Sequence, residues 1–350
     1  MTVYRATVLV QQDVEARPRR RRVRGARLAI GVAVLFALGT AVRAAGLETG
    51  VFLVPMVSFT PYFTVAALAM LAFAVAVRSR AAIALMLAVC TCLIWCVAPR
   101  TLGGLGSAEG RPLRVLTANL NGGRGDAAVL VDLVRRLNVD VLSLQEVTWS
   151  ARARLAAAGL PELLPYQVSR PMFRGPEGSG VYARHPLRER TGLFQPVGHH
   201  MPVVEVALPG GSAVEVVVVH PVAPVPSTVP EWHAGVAALP PAPTTGPPRI
   251  LAGDFNATLD HAVFRRLLAT GYTDAAAATG QGLVPTWPQG RGLPPLVAID
   301  HVLTDGRAGA VTVQVHDLPG SDHRALFADL RLRPWPAVRS PAGARRTSSA

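Results

Sequence analysis

Lysine is absent from this 350-residue chain, so every fixed side-chain cation is an arginine. That absence fits a GC-rich coding bias and carries no functional reading. Cysteine is almost as scarce: Cys90, Cys92 and Cys96 are the only three, and all lie inside one apolar run. No histidine or acid stands near their CxC…C spacing, so they read as small hydrophobic residues in a helix rather than as metal ligands. The cysteine-free remainder is free to work on the oxidising side of a membrane without mispairing. Residues 111–330 also lack a charge excess, holding 18 arginines against 18 acids. The net charge of +13 comes from the two ends, where residues 1–110 carry 12 arginines and 4 acids and residues 331–350 carry 5 arginines and no acid. The high isoelectric point therefore describes an anchor and a tail, not a basic nucleic-acid face.

Half of the residues are hydrophobic, which directs attention to membrane segments. A basic run over residues 1–27, densest at 17–27, precedes apolar stretches at about 28–42, 51–77 and 81–98. These predict three transmembrane helices within 28–100. The first is at the short end of a spanning length unless Arg43 snorkels. A signal peptide is the rival for that segment, but two further spans follow, which favours an uncleaved anchor. Basic clusters at 17–27 and 78–80 belong on the cytoplasmic side. Three spans then place everything after Arg100 outside the cell. The expected multi-pass cell-membrane protein has a flexible Gly-rich linker at 101–110, a catalytic domain at 111–335 and a disordered tail at 336–350.

After residue 111 strands and helices alternate. Strand candidates are 113–118, 141–144, 181–183, 203–208, 214–219, 250–252, 298–303, 311–315 and 325–332. Helices are expected at 127–137, capped by Asp126, and near 150–159, 228–238 and 260–269. Pro209-Gly210-Gly211 predicts a hairpin turn. The many strands and few βαβ spacings point to a mixed, largely antiparallel α+β fold.

Five stretches share one grammar, an apolar strand that ends abruptly in polar residues: TANLN at 117–121, LQE at 144–146, His220 after Val216–Val219, GDFN at 253–256, and the pair IDH (299–301) and GSDH (320–323). Strand ends are rigid places to hold polar groups at the rim of a core. The donors are hard oxygens plus imidazole, which suits Mg²⁺, or Mn²⁺ in its place, better than a structural zinc. In this order, with SGVYARHP and HPVAP between them, the blocks resemble the endonuclease/exonuclease/phosphatase superfamily of metal-dependent phosphohydrolases over roughly residues 111–332. The resemblance implies two packed mixed β-sheets with helices on both outer faces, a four-layer α/β/β/α arrangement.

Carried over by position, the resemblance makes Glu146 a metal ligand with Asn119 beside it, and brings Asp322 toward the metal. Asp254 and Asn256 would position the attacking water and the phosphate. His323 would be a catalytic imidazole oriented by Asp300, and His220 would bind a phosphate oxygen or serve the leaving group. Phosphate charge would be neutralised by the metal and by protonated imidazoles. His301 alternates with Asp300 along a strand and is expected to face away from the site. His185, His199 and His200 read as solvated loop histidines, while Trp232, His233 and Trp287 read as packing. Arg184 reads equally as a phosphate contact or a solvated cation.

The expected partners are the lipid bilayer and a phosphate ester, whether nucleic acid, lipid head group or small phosphoester; no protein partner is implied. Balanced charge argues against strong backbone-driven DNA binding. Val147-Thr148 follow the LQE block where the abasic-site endonuclease branch commonly has lysine, which disfavours intracellular DNA repair. A scavenging extracellular nuclease and a lipid phosphodiesterase remain, with a catalytically idle membrane-anchored binding module as the alternative of a different class.

Overall fold

The computed structural model describes residues 2–104, 109–290 and 292–333, with backbone alone for 2–22. The expected tail at 336–350 lies outside the described residues. The chain divides into two compact units, Met1–Pro99 and Arg100–Ala350.

The first unit is helical: α1 (Thr2–Ala45), α2 (Gly50–Val57), α3 (Thr60–Ala76) and α4 (Arg80–Val97), which runs on into a 3-10 turn at Ala98–Arg100. Val23–Ala45 and Arg80–Arg100 are long and apolar enough to cross a membrane, and α2 with α3 passes as a broken pair. The first apolar run is therefore not a short helix, because the helix continues N-terminally past Leu28. The second run is not one straight helix: α2 and α3 meet at 77°. Pro55 lies inside α2 and Pro61 in the first turn of α3, and each removes a backbone donor that a continuous helix would need. Small side chains pack the interior, among them Ala29, Ala33, Ala67, Ala74 and Ala82, and they let helices approach closely. Arg43 is buried rather than extended toward water, and its guanidinium donates to Cys96 Sγ at 2.9 Å.

The second unit contains two six-stranded sheets. Its elements are β1 (Arg111–Asn119), α5 (Ala127–Arg136), β2 (Val141–Gln145), α6 (Trp149–Ala157), α7 (Leu160–Leu163), β3 (Tyr166–Arg170), β4 (Ser179–Ala183), β5 (Leu187–Arg190), β6 (Val203–Leu208), β7 (Ser212–Val219), α8 (Val229–Ala237), β8 (Arg249–Asp254), α9 (Ala262–Leu268), β9 (Tyr272–Asp274), α10 (Ala275–Ala278), β10 (Asp300–Asp305), β11 (Ala308–His316) and β12 (Ala325–Leu332). One sheet has the order β11-β12-β1-β2-β4-β3, the other β5-β6-β7-β8-β10-β9. Each holds one parallel pair, β1 with β2 and β7 with β8, and is otherwise antiparallel. The expected mixed, mostly antiparallel two-sheet fold is the one observed.

Val and Leu side chains from both sheets form a common dry core, including Val115, Val141, Val216, Val218, Ile250 and Val302. Ser143 Oγ donates across this core to the Ala252 carbonyl at 2.8 Å, which fixes the spacing of the two sheets. The apolar face of α5 (Leu130, Val131, Leu133, Val134) covers the other side of the first sheet together with Leu116, Leu142 and Leu144. Asp126 caps α5 by accepting from Ala128 N and Val129 N, as its position predicts.

This topology places the polar strand ends together. Parallel neighbours finish at the same edge, so β1 and β2 deliver Asn119 and Glu146 there, and β7 and β8 deliver His220 and Asp254. Antiparallel neighbours begin where these end, so β10 starts at Asp300 and β12 starts just after His323.

Candidate active site

Asp254 is the hub. It is 1 % exposed, and its Oδ2 accepts from Asn119 Nδ2 at 3.0 Å. The same Asn119 amide donates to Glu146 Oε1 at 3.1 Å, so one side chain from the first sheet joins a carboxylate on each sheet. Asn119 Oδ1 accepts from Asn121 N at 2.8 Å, and Gly122 N donates to Glu146 Oε2 at 2.6 Å. Asn121, Glu146 and Asn256 all have φ near +50°, a left-handed backbone at the ends of three neighbouring strands. Asp254 Oδ1 accepts from Asn256 N at 2.8 Å, while Asn256 Nδ2 donates to the Pro221 carbonyl at 3.1 Å.

Asp300 is the direct cross-strand partner of Asp254, which turns both carboxylates to one face. Asp300 Oδ2 holds His323 Nδ1 at 2.9 Å, and His323 Nε2 lies 3.6 Å from Asp254 Oδ2. Thr286 Oγ1 accepts from Asp300 N at 3.2 Å, and Ser321 Oγ accepts from His323 N and donates to the Asn119 carbonyl. Burial pushes the His323 imidazole toward neutrality, but the Asp300 and Asp254 carboxylates overcome it and lift its pKa to about 10. Burial raises the Asp254 carboxyl to about 7, with the His323 charge opposing and the Asp300 charge assisting.

His220 lies across the site with Nε2 3.9 Å from both Glu146 Oε1 and Asp254 Oδ2. Burial, then the charges of His199 and His323, hold its pKa well below the usual imidazole value. It is therefore neutral at physiological pH.

Asp254, Asp300 and His323 offer ligand atoms within 4.8 Å of one another. Glu146 joins this cluster through Asn119. Asp322 is turned to Trp287, whose Nε1 lies 3.4 Å from its Oδ2. Trp287 thus supports the His323 loop as well as packing.

His301 faces the other way, as strand alternation requires: Nδ1 pairs with Asp274 Oδ2 at 2.8 Å and Nε2 with the Ala257 carbonyl at 2.9 Å. Arg184 binds Asp140 Oδ1 at 3.2 Å and the Val139 carbonyl at 2.8 Å, a structural clamp on the start of β2. His199 is not a solvated loop residue. It is buried, with Nδ1 3.2 Å from His220 Nδ1 and ring centroids 4.4 Å apart. One ring must carry its proton on Nδ1 while the other leaves that atom bare, so His199 selects the His220 tautomer. Its only sequence signal is a position just before β6, the strand beside β7.

The sequence profile of the endonuclease/exonuclease/phosphatase family matches residues 116–323, from β1 to the His323 loop. The chain belongs to the endonuclease/exonuclease/phosphatase family. Members of this family share a phosphoesterase-type hydrolase fold. An endonuclease/exonuclease/phosphatase from Beutenbergia cavernae is 21 % identical with a TM-score of 0.50, over 64 % of this chain and 72 % of that one. TDP2 from D. rerio, solved with a single-strand DNA product, is 15 % identical with a TM-score of 0.48, over 63 % and 98 %. The human nocturnin catalytic domain, solved with a sulfate anion, is 16 % identical with a TM-score of 0.45, over 64 % and 96 %. No curated protein matches the chain.

Proposed function

We propose that the chain is a membrane-anchored, divalent-metal-dependent phosphohydrolase that cleaves phosphoester or phosphodiester bonds outside the cytoplasm, as a nuclease or a lipid phosphodiesterase. The observation that carries this reading is the buried Asp254–His323–Asp300 array tied by Asn119 to Glu146. A binding module has no need of a base, an oriented cation and a further acidic ligand converging on one point.

The donor set fits a hard divalent cation. Glu146, Asn119 and Asp254 are oxygen-bearing side chains on adjacent strand ends, and Asp300 Oδ1 is buried with no hydrogen-bond partner. Glu146 would hold Mg²⁺ or Mn²⁺, assisted by Asn119. Asp322, though facing Trp287, stays beside His323 as a charge near that site. Such an ion supplies Lewis-acid stabilisation of charge on phosphate oxygens.

The side chains provide the rest. Asp254, with a pKa about 7, is matched to accept a proton from an attacking water near neutrality. His323, a cation oriented by Asp300, sits beside Asp254 to offset phosphate charge. Neutral His220 offers a ring N–H to a phosphate or leaving-group oxygen without adding charge. Asn256 is fixed by Pro221 beside the same phosphate position.

The anchor reading rests on the helices of the first unit and on the arginine clusters flanking them. Gly104→Cys in a background lacking Cys90, Cys92 and Cys96 is expected to react with an impermeant thiol reagent on intact cells. Protection would place the catalytic unit in the cytoplasm. For the chemistry, the detergent-solubilised chain is expected to hydrolyse bis-p-nitrophenyl phosphate, DNA or sphingomyelin with Mg²⁺ or Mn²⁺. Asp254→Asn and His323→Ala should each reduce turnover by about 10²-fold or more. A folded protein with no metal-dependent turnover on any of these esters would overturn the enzyme reading in favour of an idle binding module.

A further inference from the structure

Two aromatic rings are exposed just beyond the segment that carries Glu146. Phe173 is 88 % exposed and Trp149 is 48 % exposed. Their centroids are 6.4 Å apart and their planes are tilted by 45°, so they form an open wedge rather than a closed stack. The Arg152 guanidinium lies 5.5 Å from the Trp149 ring centroid.

The wedge is fastened to the catalytic residues. Trp149 follows Glu146 by three positions and starts α6. The loop 171–178, which carries Phe173, is stitched to that segment by three backbone bonds: Val147 N to the Gly178 carbonyl, Met172 N to the Val147 carbonyl and Trp149 N to the Met172 carbonyl. A Cβ at Gly178 would lie 2.0 Å from the Val147 carbonyl oxygen, so only glycine permits this approach. The far end of the loop is held by His200 N, which donates to the Glu177 carbonyl at 3.1 Å. Phe173 is thus carried on a strap anchored beside Glu146 and, through Glu177, on the segment of His199 and His200.

The charge balance of the domain conceals two arginines bonded to the loop whose Gly122 N holds Glu146. Arg154 donates to the Gly123 carbonyl and Arg124 to Asn121 Oδ1, both on the loop that holds Glu146. The two arginines line one open cavity of about 610 Å³. Asp126 also lines it, with its carboxylate engaged in capping α5. Arg174 follows Phe173 and is exposed.

We propose that Trp149 and Phe173 form a stacking subsite for a nucleobase attached to the scissile phosphodiester, with the neighbouring arginines holding flanking phosphates, so that the substrate class is single-stranded nucleic acid. Base stacking on exposed aromatics is sequence-tolerant and works together with cations that follow the backbone. Arg152 lies over the Trp149 ring and Arg174 follows Phe173 in sequence, so cations able to meet phosphates stand beside the rings. The proposal rests on the phosphohydrolase reading, but its test needs no turnover.

The full chain in detergent micelles, with EDTA, is titrated against fluorescein-labelled oligodeoxyadenylate of about ten nucleotides and against an abasic oligomer of equal length, chosen to match single-strand site sizes. The base-bearing oligomer is expected to bind about tenfold tighter or better. Phe173→Ala and Trp149→Ala should each erase most of that preference while leaving abasic binding unchanged, and Phe173→Trp should retain it. Equal binding of the two oligomers, or a preference untouched by both alanine variants, would overturn the proposal. So would variants that lose turnover of sphingomyelin in mixed micelles with oligonucleotide binding intact, an outcome that assigns the wedge to lipid. Base-dependent binding with no turnover on any ester would leave the subsite standing and remove the enzyme reading alone.

Discussion

The imidazole of His323 is clamped at Nδ1 by Asp300 and faces Asp254 through Nε2. Its pKa of about 10 has a testable cause, because Asp300→Asn keeps the shape and removes the nearest charge. That variant is expected to move the alkaline limb of kcat/KM toward acid by more than one pH unit and to lower kcat by about 10²-fold. The same shift bears on stability. The folded protein holds this proton more tightly than the unfolded chain does, so the contribution is complete below the ordinary imidazole value. It fades as pH rises toward about 10. Thermal melts should therefore decline with rising pH over that window in the parent, and with a shallower slope in Asp300→Asn. Identical slopes would mean that Asp300 does not set the His323 pKa. His323, Asp300 and Asp254 were legible because each sits in a motif whose strand end fixes its direction. His199 was not: its burial against His220 arises when the loop before β6 folds over the end of β7, and a polar loop has no periodicity to announce that contact.

At the scale of elements, the central strands were readable, and of the four edge strands only β11 was. Strands β2, β7 and β8 are buried on both faces over most of their length and carry short apolar runs. The unanticipated strands β3, β5 and β9 are the outermost members of their sheets. Sequences such as YQVSR and LRER leave side chains half in water, so their apolar signal is weak. The α2–α3 bend was missed for a related reason, since hydropathy alone does not register the backbone donors lost at Pro55 and Pro61. Close approach of two strands makes a firm prediction at Gly253. A Cβ there would lie 1.9 Å from the Val219 carbonyl oxygen, prising β7 from β8 beside His220 and Asp254. Gly253→Ala is expected to cost about 3 kcal/mol, lowering the melting midpoint by several degrees, and to impair turnover beyond that loss. Unchanged melting and unchanged rates would show that the ladder yields freely at that point.

For the whole molecule, the sequence does not show how Arg100 is held. Arg100 reads as the stop residue after the third apolar run. In the structure it is buried within the second unit and grips Asp260 with two bonds, at 2.7 Å and 2.6 Å. Nothing local to Arg100 points to a partner 160 residues away. Asp260→Ala, which withdraws the carboxylate from a buried guanidinium, is expected to destabilise the second unit by about 3–5 kcal/mol. Arg100→Met with Asp260→Leu should regain much of that loss in thermal denaturation of the solubilised chain; failure to do so would assign the loss to other contacts of these residues. The Asn119 amide has a different consequence at this scale. Its two hydrogen atoms reach carboxylates rooted in separate sheets, so the active centre behaves like a vernier between two rulers. A slide too small to open any ladder would already misalign it. Under rising hydrostatic pressure or dilute urea, turnover should therefore fade while the far-ultraviolet circular dichroism is still native. Simultaneous loss of both would show that the two rulers are locked as one.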